Sequence, residues 1–278
     1  MARPWKKQVA GMGMSKVRVW AVAAAAAVSL GVLAAGPAAA DPPAPPGTPT
    51  ATSFAGTPTV GPLFRNGLGS DHGCTASVVA SPLGDEILTA AHCVHGTAAG
   101  WQFAPGYDDG ATPYGVWTVT HAYVPPAWQK NGDTQHDYAV LTVAPARRAG
   151  RTVSLQSVTG ADVLGQAPAA GTAVTDIAYN AGLDDQAIHC AVRVYWTDGF
   201  PSFNCHGYVG GSSGSPWLLK GPGGITSVVG VIGGLHQGGC YEYTSYSPAF
   251  RPDVYTLIAR ATLGLRPDTV PQAGSDGC

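Results

Sequence analysis

Charge is scarce in this 278-residue chain: Asp, Glu, Lys and Arg together make up 12% of it. That density is too low for a disordered chain or a long coiled coil, both of which rely on charge to stay solvated. Methionine is scarcer still, with three residues, Met1, Met12 and Met14, all before residue 41. Five of the fifteen Lys and Arg (Arg3, Lys6, Lys7, Lys16, Arg18) also fall there, so residues 41–278 carry ten basic against seventeen acidic side chains. With so little positive charge to neutralise phosphates, nucleic acid and anionic membrane surfaces are poor partners. After residue 40 no apolar run approaches the roughly 20 residues that a spanning helix requires. In excess are Gly (38) and Pro (23), beside 45% hydrophobic residues, a turn-rich globular composition that argues against an all-helical protein.

Residues 1–40 read as an export signal: a basic stretch, an apolar run from Trp20 to about Ala35, then Ala38-Ala39-Ala40 before Asp41. Cleavage after Ala40 is expected. The rival reading, an uncleaved anchor, requires a longer run than this Ala-dominated one. The mature chain is then secreted and extracellular with no membrane attachment, a compartment in which disulfides persist and which six Cys fit. Residues 41–59, rich in Pro, Thr, Ala and Gly without apolar periodicity, predict an extended linker or a short pro-segment.

From residue 60 onward, short runs of Val, Ile, Thr and aromatics alternate with Gly, Pro, Asn and Asp punctuation. Strands are predicted over 75–80, 86–90, 114–123, 138–143, 172–178, 187–196, 215–219, 226–233 and 242–247, which makes the class all-β, a sandwich or barrels. Helical periodicity is clear only over about 251–263, with Val254, Leu257, Ile258 and Ala261 on one face and Pro252 near the start. The tail 266–278 has no pattern.

Three segments carry chemistry. In Thr89-Ala90-Ala91-His92-Cys93, small neighbours let an imidazole reach a cleft, although a lone His is more often simply packed. In His136-Asp137-Tyr138-Ala139-Val140-Leu141, an acid heads an apolar strand; buried there, Asp137 needs a donor, which an imidazole N–H supplies, and the bland alternative is an Asx turn. In Gly210-Gly211-Ser212-Ser213-Gly214-Ser215-Pro216, glycines surround a serine so that its backbone can approach a substrate carbonyl.

TAAHC, HDYAVL and GSSGSP, in the order His, Asp, Ser, resemble the trypsin-like, chymotrypsin-fold serine peptidases over roughly residues 60 to 262. Ser215-Pro216 after the nucleophile, and a serine before it, resemble the secreted bacterial members. The resemblance implies two six-stranded antiparallel β-barrels, about 60–150 and 151–262, followed by a C-terminal helix and the tail 263–278. It implies Ser213 as nucleophile, His92 as general base and then acid, Asp137 as the carboxylate that fixes the imidazole tautomer, and the N–H groups of Gly211 and Ser213 as the oxyanion hole. The function implied is a secreted serine endopeptidase acting as a monomer on protein or peptide substrates, with no cofactor. The alternative is a catalytically silent binding or adhesion module on the same fold. Where animal members have Asp before the nucleophile, this chain has Ser212, so processing before about Val60 is not expected to switch the site on through a new N-terminal ion pair.

Gly210-Gly211-Ser212-Ser213-Gly214 also fits the G-x-S-x-G elbow of α/β-hydrolases, but that fold needs Ser, acid, His in order, and the only His after Ser212 is His236, with Glu242, Asp253, Asp268 and Asp276 all beyond it. Pairing of Cys74 with Cys93 resembles the family bridge behind the histidine loop. Cys190 and Cys205 bracket a hairpin turning at Asp198-Gly199, which places their side chains within reach, so this pair is expected to bond. Cys240 and Cys278 remain, and their pairing is expected to staple the tail to the second half, the alternative being a free Cys278 able to link two chains. His92, Cys93 and His95, or Asp71, His72 and Cys74, could hold a metal, but in an exported chain these cysteines suit a bridge better, and no metal is expected. His72, His95, His121, His136 and His189 are expected on the surface or in turns. The resemblance places the specificity pocket in 206–210 and 232–240, with Gly207, Tyr208, Gly233, Gly234 and His236 as its residues. No acid lies in either segment, which disfavours a cationic P1 side chain. His236 at the rim suits an acidic P1, as in glutamyl peptidases, or is an unrelated loop histidine, the commoner case.

Overall fold

The computed structural model describes residues 41–182 and 185–278. The expected export signal, residues 1–40, lies outside the described residues. Strand β1 (Thr52–Phe54) precedes β2 (Val60–Phe64), β3 (Cys74–Val78), β4 (Glu86–Thr89), β5 (Gln102–Phe103), β6 (Trp117–Tyr123) and β7 (Ala139–Val143). Strands β2 to β7 pair antiparallel in the order β2-β3-β4-β7-β6-β5, and β5 returns to β2 to close a six-stranded barrel. Strands β2, β3 and β4 are buried along their whole length and β7 nearly so, including the polar Thr75, Ser77, Glu86 and Thr89. Side chains still alternate between two destinations. On β7, Ala139, Leu141 and Val143 enter the barrel interior with Ile87, Phe103 and Trp117, while Val140 points outward into a second cluster.

Strand β2 was not expected, because Gly61 and Pro62 in Val-Gly-Pro-Leu-Phe read as punctuation. Gly61 is there because the backbone of Ala104 crosses it: an added Cβ would lie 2.2 Å from the Ala104 carbonyl oxygen.

The second half contains β8 (Ala146–Arg148), β9 (Arg151–Val153), β10 (Val163–Leu164), β11 (Ala173–Ala178), β12 (Ala187–Arg193), β13 (Tyr195–Thr197), β14 (Phe200–Asn204), β15 (Pro216–Lys220), β16 (Thr226–Val231) and β17 (Thr244–Tyr246). Strands β8 and β9 form a hairpin. The others pair as a six-stranded sheet, β1-β12-β11-β15-β16-β10, and a three-stranded sheet, β13-β14-β17. This differs from the expected second closed antiparallel barrel. Among the described residues the ladder does not close on itself, and β10 runs parallel to β16. The predicted strand over 187–196 breaks at Val194 into β12 and β13, which join different sheets. Phe203, Trp217, Val192 and Val229 fill the core of this half.

Helices α1 (Pro126–Asn131) and α2 (Leu155–Thr159) are too short to leave a periodic signal. Helix α3 (Pro252–Thr262) matches the periodic stretch, with Pro252 in its first turn. It buries Val254, Leu257 and Ala261 in the same cluster as Val60, Phe64, Leu88, Val140, Leu218 and Val228, so this cluster joins residues of both halves.

Residues 41–59 are not a detached linker in the structure. Thr52, Ser53 and Phe54 pair with His189, Ile188 and Ala187 on the otherwise open edge of β12. Ala51 N–H donates to His206 O, His206 N–H donates to Pro49 O, and Tyr243 Oη donates to Pro42 O. Composition hid this because the pairing is through the backbone, which Pro-Thr-Ala-Gly text does not report. Each such bond contributes about 1 kcal/mol net, so a chain starting at Thr57 is expected to lose roughly 2–4 kcal/mol of unfolding free energy. Urea denaturation reads this, and an unchanged midpoint and slope would refute the docking.

Candidate active site

Strands β4 and β7 are hydrogen-bonded neighbours in register, with Thr89 opposite Ala139. The chain leaves β4 into a 3-10 turn, Ala91–Cys93, and enters β7 from another, Thr134–His136. Two residues 45 apart in sequence, His92 and Asp137, are thus delivered to the same end of one strand pair.

Asp137 is fully buried. Its Oδ2 lies 2.7 Å from His92 Nδ1 and accepts from Gly234 N–H at 2.8 Å, while Oδ1 accepts from His92 N–H at 2.8 Å. A buried carboxylate is tolerated when donors replace its lost water, and here three do. Because a carboxylate can only accept, His92 Nδ1 carries the proton and Nε2 of the neutral ring is the free acceptor. The next residue anchors this arrangement to α3. Tyr138 Oη donates to Asp253 Oδ1 at 2.5 Å, and burial, reinforced by that bond, pushes the phenol pKa well up. His136 spans Asp133 and Asp253 at 3.1 and 3.4 Å.

Ser213 comes from the second half, in the loop before β15. Ser213 and His92 line one cleft of about 510 Å³, with Gly211, Tyr208 and His236. No hydrogen bond joins Ser213 Oγ to His92 among the described residues, in keeping with catalytic bonds that shorten only when substrate is bound. The loop is held from the first half by Thr75, whose N–H donates to Ser213 O at 2.8 Å and whose Oγ1 donates to Gly211 O at 3.0 Å. Ser212 is buried and folds back on its own loop, its Oγ donating to Val209 O at 2.8 Å. Gly211 has φ +100°, and a Cβ there would fall 2.0 Å from Ala181 N. Only glycine fits. Among the described residues, the N–H groups of Gly211 and Ser213 have no partner, although both residues line the cleft.

The pocket residues divide. Tyr208 and His236 line the cleft. Gly207 N–H donates to Glu242 Oε2, Gly233 N–H donates to Tyr246 O, and Gly234 supports Asp137. The segments 206–210 and 232–240 hold no acid, as read from the sequence, but Glu242 and Asp276 from outside them both line the cleft. Glu242 sits just past the segment considered. Burial alone would raise its pKa, but the bonds from Gly207 N–H and His206 lower it on balance. Asp276 arrives with the tail, because Cys240 and Cys278 are bonded, His236 Nδ1 meets Asp276 O at 2.9 Å and Gln237 Nε2 donates to Gly274 O. A Cys240–Cys278 pairing was the one sequence signal that could have brought Asp276 here. Arg65, also on the lining, had no signal.

Cys74 bonds Cys93 and Cys190 bonds Cys205. Among the described residues, one cluster has metal-ligand proximity, His236, Cys240 and Cys278, and its two sulfurs are already joined to each other. Thiolates are the ligands metals need, so this donor set does not fit an ion. His72 is not at the surface as expected. It is buried against Phe64, Tyr107 and Tyr179, with Nε2 3.0 Å from Asp185 Oδ1.

No family model matches the chain. A 76-residue stretch is 34% identical to the extracellular metalloprotease of Bacillus subtilis (strain 168), covering 26% of this chain and 23% of that protein, so less than a quarter of the relative's length is matched. Solved structures match far more of the chain. Protease Anisep from Arthrobacter nicotinovorans is 24% identical over 77% of this chain and 100% of its own, with TM-score 0.63. The thermostable serine protease AL20 from an extremophilic microorganism is 25% identical over 74% and 98%, with TM-score 0.62. A Glu endopeptidase is 20% identical over 78% and 98%, with TM-score 0.58. Mostly β, with one closed six-stranded barrel, the chain has the trypsin-like, chymotrypsin fold, and its structural neighbours are bacterial serine proteases.

Proposed function

We propose that this chain is a secreted serine endopeptidase that hydrolyses peptide bonds through an acyl-enzyme, with Ser213, His92 and Asp137 as its triad. One observation carries the reading: a buried carboxylate with three N–H donors orients an imidazole in the cleft that Ser213 shares. A serine hydroxyl is a weak nucleophile at neutral pH, so His92 Nε2 takes its proton as Oγ attacks the scissile carbonyl. The imidazolium so formed is stabilised by Asp137, and the oxyanion by the unpaired N–H groups of Gly211 and Ser213, each worth about 3 kcal/mol in the transition state. His92 then protonates the leaving amine, the acyl-enzyme remains, and water reverses the sequence.

Further features support the wider reading. Two N–H donors left unpaired beside an open cleft suit turnover and have no use in a silent binding module. The second half corresponds to the second barrel of the fold, opened between its two sheets. Residues 1–40 direct export, and residues 41–59 stay with the mature enzyme as the edge strand β1 rather than leaving as a pro-segment.

A fluorophosphonate probe is expected to label Ser213 in the native chain and nothing in Ser213→Ala; equal labelling of both would remove the nucleophile. Asp137→Asn, which keeps the shape but favours the wrong imidazole tautomer, is expected to lower kcat about 10⁴-fold. Unchanged peptidase turnover in that variant would contradict the role. Chelation separates this chain from the metalloprotease named above: full hydrolysis of casein after EDTA dialysis is expected, and loss restored by added Zn²⁺ would count against serine chemistry.

A further inference from the structure

We propose that Arg65 is a specificity-determining residue that receives an acidic side chain of the substrate on the leaving-group side of the scissile bond. The inference rests on the peptidase reading above and deepens it.

Arg65 follows β2 at the lip of the cleft and is the only Arg or Lys on its lining among the described residues. Two contacts hold it there. Its Nη2 donates to Cys93 O at 2.9 Å, and its guanidinium lies 5.3 Å from the centre of the Trp101 ring. Cys93 is tied to Cys74, and both Cys74 and Gly73 belong to the same wall. The guanidinium is therefore positioned in advance although the residue is exposed. Among the described residues no carboxylate comes within ion-pair distance of it. The partial burial its head does have lowers its pKa with no compensating acid. One N–H is used on Cys93, and the remaining donors keep the fork geometry that matches a carboxylate with two parallel bonds.

The side of the cleft follows from the chemistry. His92 must deliver a proton to the leaving amine, so the departing peptide runs past His92. Arg65 is bonded to the residue after His92, on that wall. The acids of the cleft stand elsewhere: Glu242 and Asp276 come with the segment around His236 and Cys240. The cleft is thus positive where the leaving peptide exits and negative where the specificity pocket lies. An Asp or Glu among the first three residues after the scissile bond meets a fixed cation that has no acidic partner among the described residues.

The test is a set of fluorogenic peptides sharing one well-cleaved P1 residue and carrying Asp, Glu, Asn, Gln or Lys at each of the three following positions. At low salt, the native enzyme is expected to prefer an acid over its amide by roughly three- to tenfold in kcat/KM at one of these positions. The preference should shrink as salt screens the pair. Arg65→Gln is expected to abolish the acid-to-amide ratio and Arg65→Lys to retain part of it, since a lysine keeps the charge but not the fork. A flat profile in the native enzyme overturns the proposal without reference to any variant, as does a preference that Arg65→Gln leaves intact. The underlying reading fails differently: no peptide is cleaved and Ser213 does not react with fluorophosphonate.

Discussion

A carboxylate sealed from water governs this molecule. Asp137 accepts from the backbone and ring of His92, which belong to the first half, and from the backbone of Gly234, which belongs to the second. An ionised carboxylate stripped of water and left short of donors costs several kcal/mol. The site that orients the imidazole is therefore complete only when the halves are docked. The apolar cluster between them supplies the drive: Phe64, Leu88, Val140 and Tyr138 on one side meet Leu218, Val228 and Phe250 on the other.

The loop that carries Ser213 obeys the same logic with neutral groups. Thr75, deep in β3, fixes the carbonyls of Ser213 and Gly211, and Ser212 fixes itself to Val209. A loop built in this way needs no charged chain end to organise it. Its glycine at +100° lies on the cleft wall beside Ser213, and the N–H groups of both have no partner among the described residues.

How much of this could be read in the amino-acid sequence depended on whether the cause was local. The strands around Leu88, Val119 and Leu141 announced themselves, because β-branched and apolar runs bounded by turn residues need no distant partner to be recognised. Three short motifs in fixed order indicated His92, Asp137 and Ser213 for the same reason. Strand β2 escaped since Gly61 answers to the backbone of Ala104, 43 residues away in the chain. Strand β1 escaped since its partners are the carbonyls and amides of β12 and His206. Glu242, Asp276 and Arg65 reached the cleft through tertiary placement alone: a disulfide for Asp276, an aromatic ring and a carbonyl for Arg65. The open second sheet was illegible because the same alternating text serves a closed ladder and a broken one.

On the peptidase reading proposed above, the carboxylate shared between the halves has a practical meaning. Parting the two halves separates Gly234 from Asp137 and removes one of the three donors that hold the carboxylate under the imidazole. On that reading a parted copy has lost support for its own imidazole, so its cleavage would need a second, closed copy and would slow on dilution.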